Sequence, residues 1–373
     1  MFLIALRMLL DRPSKSIGTL LGVVLSTFLM AQQVSTFLGI LKLVVALSEG
    51  TAVDVWITSP TTVDTDITDS VPLRYRTVAA STVGVSSATS LVTGMTRATR
   101  PDGVPELVKL VGLESPQFIG APPHLVGGDD VSVLAAPSRV LVNVADRPLY
   151  GGIERGQRIE VGGRTMIVAG FFEGVDPHGN YAYMFVPVAD ARAILGTPPD
   201  RATFIGVTIA PGIDPDLLAE KMRARLPDAR VFTRDGLSTA ESRNFLERTP
   251  VGLVFGMGTI VAGLVGSLVV GVTMFSAVVD RSRDFGTMLA IGARRRDLRR
   301  LLLAQVVVYF VVGTSVGLAA FGVVKAHAVD VPMLAPGWML AAVAAASLSC
   351  CLLASLAAIR RVSGIDPAIV FRG

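Results

Sequence analysis

Four stretches of the chain run for more than 20 residues without a charged side chain: Ile17–Ile40, Val251–Val279, Leu301–Val324 and Trp338–Ile359. A helix needs about 20 apolar residues to cross ~30 Å of hydrocarbon. Charge-free runs of that length are foreign to soluble cores, so the pattern predicts four transmembrane helices. Arg7, Arg12 and Lys15 precede the first run, like the basic start of a secretory signal. The run is longer than the roughly 7–15 apolar residues of a signal core, and no small-residue cleavage site follows, so we read it as a retained membrane helix. Its apolar pattern continues through Leu41, Val44, Val45 and Leu47 to Gly50. A helix from Ile17 to Glu49 would be about 50 Å long at ~1.5 Å per residue, which overshoots the bilayer core.

Between the first two spans the period changes. Alternating or β-branched runs predict strands at 53–59, 106–113, 138–144, 157–161, 164–172, 181–188 and 203–210. Helical spacing predicts helices at 189–196 and 214–226. The second has Asp214 as cap and Leu217, Leu218, Met222 and Leu226 at its apolar positions. Gly151–Gly152 and Gly162–Gly163 mark turns. Ser238 is placed to cap a helix through TAESRNFLERT, which runs into the second span with a bend at Pro250. The expected fold class is a membrane protein: four transmembrane α-helices with a large mixed α/β domain between spans 1 and 2.

Composition agrees. The 373 residues are 51% apolar and 17% charged, with mean hydropathy +0.58, against about 25% charged in soluble domains. Charge is distributed unevenly. Ser48 to Pro250 carries 24 acidic and 19 basic side chains, and the rest carries 6 and 15. The basic excess therefore flanks the apolar runs and does not speak for nucleic acid. Seven arginines lie between spans 2 and 3, and Arg360, Arg361 and Arg372 follow span 4, whereas the 325–337 connection has only Lys325. Lys and Arg concentrate on the cytoplasmic side, so both termini and the 280–300 loop are expected in the cytoplasm and the α/β domain outside it. The expected boundaries are a cytoplasmic segment 1–16, a first span with outward stalk 17–47, the extracytoplasmic domain 48–237, and a stalk helix with the second span 238–279. The cytoplasmic loop 280–300, third span 301–324, outer loop 325–337, fourth span 338–359 and cytoplasmic tail 360–373 follow.

Candidate chemistry is sparse. An ATP-binding P-loop needs Gly-x-x-x-x-Gly-Lys-Ser/Thr, and of five lysines only Lys15 precedes a Ser or Thr, with Ser14 before it. His124, His178 and His327 lack metal-ligand spacing, and no Gly-x-Ser-x-Gly elbow occurs. Asp64, Asp66, Asp69, Asp129 and Asp130 sit among loop-forming residues. Adjacent Cys350 and Cys351 read as small hydrophobes within span 4. No catalytic or metal site is expected. The spans as drawn hold no Asp, Glu, Lys, Arg or His, which argues against an ion-coupled transporter. Gln32 and Gln33 read as helix–helix contacts. Gly18/Gly22, Gly252/Gly256 and Gly313/Gly317 have the four-residue spacing that lets helices approach closely.

The connection DRSRDFGTMLAIGARRRDLRRLLLAQ has a greasy centre between arginines. Phe285, Met288, Leu289 and Ile291 are expected to form an apolar patch on a short helix ended by Gly292. Arginines alone fit a loop resting on anionic headgroups, and the centre could lie in the interface. A helix inserting into a groove on another protein accounts for the centre and the Gly-Ala break together.

This segment resembles the cytoplasmic loop of MacB/FtsX-type ABC permeases, as the ending RRVSGIDPAIVFRG resembles their closing motif. VDVWITSP and PDGVPELVKLVGLESP are similar to the DevC subgroup. Leu289 departs from the basic residue many relatives carry there. The resemblance implies a non-catalytic permease subunit in the bacterial cytoplasmic (inner) membrane, working as a homodimer with a separate ABC ATPase. No cofactor would bind this chain; ATP and Mg would sit on the ATPase. Arg283, Asp284, Phe285, Gly286, Met288, Leu289, Ala290, Ile291, Gly292 and Ala293 would couple to that ATPase, with Asp366, Pro367 and Arg372 as the tail motif. Movement would pass through the stalk to the outer domain (mechanotransmission), exporting or extracting an amphiphile such as a lipid, glycolipid or lipoprotein, with a periplasmic adaptor (membrane-fusion) protein. The alternatives are an FtsX-like signalling permease that activates a cell-wall hydrolase, and a membrane-tethered binding module without an ATPase.

Overall fold

The computed structural model describes residues 13–62, 65, 69–127, 130–175, 181–280, 287–289, 291–328 and 331–363. The chain divides into two compact units, Met1–Gly39 with Pro250–Gly373, and Ile40–Thr249.

The first unit is helical. Helix α1 (Pro13–Val44) begins in it, and the boundary to the second unit falls within this helix, after Gly39. After a break at Val45, the one-turn α2 (Ala46–Glu49) prolongs the helical path. The unit also holds α7 (Val251–Asp280), α8 (Arg295–His327) and α9 (Gly337–Ser363). All four long helices are apolar enough to cross a membrane, which makes this a multi-pass membrane protein. Their outward faces are apolar too: Leu253, Leu264 and Leu268 of α7 are each about two-thirds exposed, as lipid requires.

Small residues and hydroxyls hold the helices together. A Cβ at Gly22 would lie 2.5 Å from Val269 Cγ1, and one at Gly313 2.6 Å from Val23 Cγ1. One at Gly317 would lie 2.8 Å from the Val24 carbonyl oxygen. Gly18 and Gly256 have no atom within 4 Å of that point. Gln33 packs against Gly258. The hydroxyls of Thr27, Ser347 and Thr314 join α1, α9 and α8 at 3.0 and 2.9 Å, and Ser26 donates to the Ala262 carbonyl at 2.9 Å. In the connection before α9, Leu334 N–H donates to the Ser35 carbonyl at 3.0 Å, and Gly39 leaves room for the Pro332 carbonyl. Cys351 is buried as a small apolar residue, and Cys350 faces Gly263.

The second unit is mixed α/β. Its elements are β1 (Val55–Thr58), β2 (Val71–Pro72), α3 (Arg74–Ala80), β3 (Val85–Thr99), β4 (Pro105–Leu113), β5 (His124–Val126) and β6 (Arg139–Asn143). There follow β7 (Arg158–Val161), β8 (Arg164–Glu173), β9 (Ala182–Pro187), α4 (Val188–Leu195), β10 (Arg201–Ala202), β11 (Phe204–Ile209), α5 (Pro215–Arg225), β12 (Arg230–Thr233) and α6 (Arg234–Arg248). The long β3 does two jobs. Val85–Leu91 pairs with β11 in an open antiparallel sheet of order β12-β1-β11-β3. Val92–Thr99 pairs with β4, and the path β3-β4-β9-β6-β8-β7 returns to β3, closing a six-stranded barrel.

Period-2 alternation sets the layers. Val55 and Ile57 pack with α3 and α5, while Trp56 turns to the opposite cluster with Phe204 and Leu91. On β4, Val108 and Leu110 fill the barrel, while Val111 and Leu113 face outward toward α2 and α6. Helix α6 starts four residues before Ser238: Thr233 is the cap and accepts from Gly236 N–H at 3.2 Å, because β12 runs straight into the helix. Asp214 caps α5 by accepting from Asp216 N–H at 2.9 Å.

Candidate functional site

The described part of the loop between α7 and α8 is a two-part, hydrogen-bonded joint. Residues 287–289 are helical. Gly292 then takes φ +104°, a conformation that favours glycine. Ala293 N–H donates to the Met288 carbonyl at 2.9 Å and Gly292 N–H to the Leu289 carbonyl at 3.1 Å, the paired bonds of a Schellman stop. Two residues later α8 begins. Arg294 is extended, and its N–H donates at 3.1 Å to the carboxylate of Asp297, whose own N–H donates to the Arg294 carbonyl at 2.8 Å. The string IGARRRD is therefore a helix stop followed at once by a capped helix start.

The apolar centre splits in two. Met288 and Leu289 are half-buried against the cluster of Val278, Leu298 and Leu301. Ile291 points away and is 82% exposed. The expected four-residue patch is thus not one surface: two of its members anchor the joint to the spans and one is presented. Phe285 lies outside the described residues, as do Arg283, Asp284, Gly286 and Ala290, and Asp366, Pro367 and Arg372 of the tail. Arg294, Arg296, Arg299 and Arg300 are exposed around the start of α8. The arrangement can present one large apolar side chain, with exposed arginines nearby in sequence, ahead of a hydrogen-bonded helix stop and a capped helix start.

Elsewhere, two carboxylates in the second unit have opposite settings. Burial pulls Glu114 up, but the N–H and hydroxyl of Ser90, both at 2.8 Å, and the Arg76 ion pair outweigh it and hold the carboxyl below its ordinary value. Burial pushes Glu241 up to about 7, against hydrogen bonds from Ser48 and Thr65 and the charge of Lys109. The sequence pattern offered no reason to single out either pair, beyond a lone lysine inside an apolar strand. Of the aspartates read as loop residues, Asp69 accepts from Thr61; His327 Nδ1 lies 2.8 Å from the Val323 carbonyl. Asp64, Asp66, Asp129 and His178 lie outside the described residues. Among the described residues, no three His, Cys, Asp or Glu side chains are grouped to hold a metal.

Comparison with known proteins gives two family matches. The MacB-like periplasmic core domain matches residues 16–225, and the FtsX-like permease C-terminal model matches 256–367. An uncharacterized ABC transporter permease of Mycobacterium tuberculosis (strain ATCC 25618 / H37Rv) is 27% identical over 257 residues, 68% of each chain. The macrolide export ATP-binding/permease protein MacB 1/2 of Paracoccus denitrificans is 29% identical over 208 residues, 52% of this chain and 30% of that one. Among solved structures, the periplasmic region of MacB from Actinobacillus actinomycetemcomitans is 13% identical with TM-score 0.38, covering 55% of this chain and 95% of that one. The extracellular domain of the transporter YknZ from Gram-positive bacteria is also 13% identical, with TM-score 0.37, covering 48% of this chain and 99% of that one.

Proposed function

The chain belongs to the MacB/FtsX-type ABC transporter permeases, and we propose that it is a DevC-like permease subunit, working as a homodimer, that carries ATP-driven movement from a separate cytoplasmic ATPase to the domain between its first two spans. That domain then lies outside the bacterial inner membrane, with both termini and the arginine loop in the cytoplasm. The cargo is an amphiphile such as a lipid, glycolipid or lipoprotein, handed to a periplasmic adaptor. Catalysis belongs to the ATPase, which holds ATP and Mg.

The observation that carries the reading is Ile291: an 82% exposed isoleucine held on a Schellman stop and a capped helix start, where an unpartnered loop would present polar residues. A large apolar anchor with an arginine rim is the composition of a protein–protein hot spot. Support for a route outside the spans comes from the bundle, where the hydroxyls of Thr27, Thr314 and Ser347 are buried and bond to one another.

The test is reconstitution with the ATPase captured from mild-detergent extracts. Ile291→Asp is expected to weaken its binding at least about tenfold, the loss of about 1.4 kcal/mol or more, and to abolish stimulated ATP hydrolysis while the α/β domain stays folded. Normal binding and stimulation in Ile291→Asp would sink the coupling assignment. Recovery of the ATPase with a cell-wall hydrolase in place of an adaptor would shift the reading to a signalling permease.

A further inference from the structure

Glu241 on α6 is wholly buried, and its two oxygens are held by different segments. Ser48 of α2 lies 2.6 Å from Oε2, and Thr65 N–H donates to Oε1 at 3.1 Å. Its third neighbour is Lys109 of β4, 1% exposed, on the outer wall of the barrel. The Lys109 Nζ lies 5.8 and 6.0 Å from the ring centres of Tyr183 and Tyr181. One carboxyl group thus joins α6, the turn that prolongs the first helix, the segment at Thr65 and the barrel wall.

Ser48 makes this junction sensitive to a single proton. Its hydroxyl lies 2.6 Å from Glu241 Oε2 and 3.1 Å from the Val45 carbonyl oxygen, and a hydroxyl has one proton to give. With Glu241 protonated, its O–H donates to Ser48 Oγ and Ser48 donates onward to Val45, so the chain of bonds is complete. With Glu241 ionised, Ser48 must turn its proton to the carboxylate and releases Val45, whose carbonyl keeps only the Glu49 N–H at 3.0 Å. We propose that Glu241 is a proton-operated clasp that fastens α6 to α2 and to the segment at Thr65, and that it holds most tightly when protonated.

Among the described residues, Lys109 is the charged group that acts on Glu241. Tyr181 and Tyr183 lie beside Lys109. On α2, Glu49 pairs with Lys42; on α6, Arg243 pairs with Glu247 and Arg234 with Asp54; near Thr65, Asp69 accepts from Thr61. The sign follows from linkage. In an open clasp Glu241 meets water and has its ordinary value of 4.5; closed, burial holds it at about 7. Opening therefore releases a proton between those values. The opening constant rises with pH across that window, by on the order of a hundred-fold, and levels off above it.

The experiment is hydrogen–deuterium exchange on the full chain in lipid nanodiscs, corrected for intrinsic rate and followed in peptides covering 41–50 and 234–248. In the wild type, protection should fall on the order of a hundred-fold from about pH 5 to pH 8. Glu241→Gln keeps the protonated pattern, since its amide can donate to Ser48 and its oxygen accept from Thr65, so its protection should stay high and flat. Lys109→Met removes the charge that favours the carboxylate and should move the midpoint upward, whereas simple loosening would lower protection equally at every pH. A flat wild-type profile overturns the clasp without reference to any variant. So does a Glu241→Gln profile with the wild-type slope, or a Lys109→Met midpoint that does not move.

Discussion

Alanine placed at the span glycines should divide them into two groups. At Gly22, Gly313 and Gly317 the new Cβ would come within 2.5 to 2.8 Å of another helix, whereas carbon atoms pack comfortably at about 3.5–4.0 Å. The helices would have to part by roughly 1 Å, and overpacking of this kind costs about 1–3 kcal/mol. Gly317 belongs at the upper end, because the obstacle is the backbone oxygen of Val24, which cannot rotate aside. Gly22 belongs at the lower end, because it meets the side chain of Val269. Helix propensity returns up to about 1 kcal/mol of this at each site. At Gly18 and Gly256 nothing lies within 4 Å, so only propensity acts and alanine should be neutral or stabilise by about 0.5–1 kcal/mol. Unfolding in mixed detergent–SDS micelles reads these differences. A Gly18→Ala or Gly256→Ala variant as unstable as Gly313→Ala would refute the reasoning and place that glycine against a second copy of the chain.

Two further outcomes follow from the hydrogen bonding. Ser347→Ala removes bonds to Thr27 and Thr314; at about 0.6 and at most ~1.7 kcal/mol per intramembrane bond, the bundle should lose about 1–3 kcal/mol in the same titration, and a loss near zero would show that the three hydroxyls find other partners. Glu114, held below its ordinary 4.5, contributes stability above that pH, and this is lost as pH falls through its lower native value. Thermal melts of the α/β domain in the full chain should therefore show a shallower acid decline in Glu114→Gln, with lower stability at neutral pH; unchanged acid dependence would mean the Ser90 and Arg76 bonds are replaced by water.

The spans were legible because the absence of charge is a property of the linear sequence. Their ends were less so. Helix α8 begins at Arg295, six residues before the apolar run, because Asp297 supplies the start signal that the arginines obscure. Strand β3 went unread: VSSATSLVTGMTRAT looks like a loop, yet Ser90 bonds Glu114, and the Thr93 N–H donates to Thr203 Oγ1 while Thr203 returns a bond to the Thr93 carbonyl, partners that lie just beyond the end of β4 and just before β11. The same holds for Glu241, which TAESRNF presents as an ordinary surface helix residue; Ser48 and Lys109 reach it only through the tertiary fold. The Gly292 stop was readable from residue type, but which of Met288, Leu289 and Ile291 faces the spans depends on where the short helix sits on Leu298 and Leu301.

The arginines around Ile291 bear on whether that loop exists for stability or for binding. A helix start carries partial positive charge, and a cation there costs roughly 0.3–1 kcal/mol within the first turn. Helix α8 opens with Arg295 and Arg296, directly after Arg294, with Arg299 and Arg300 one turn on, and Asp297 is the one acid in its first turn. Selection for helix stability would have placed acids at these positions. Resting on anionic headgroups would account for the charge, but it would favour an apolar side chain in the membrane interface and a compliant backbone. Instead, the helix stop at Gly292 and the cap at Asp297 hold the backbone that follows Ile291. Under the proposed function, force passes through a contact only as far as the contacting element is stiff, and the stop and cap after Ile291 would serve that contact. Replacing Asp297 with Asn should keep much of the cap while removing its charge, so stimulation of the ATPase should survive; Asp297→Ala should soften the joint and lower stimulation more than binding. Equal losses in both variants would show that the charge of Asp297, and not the stiffness it confers, is what the partner reads.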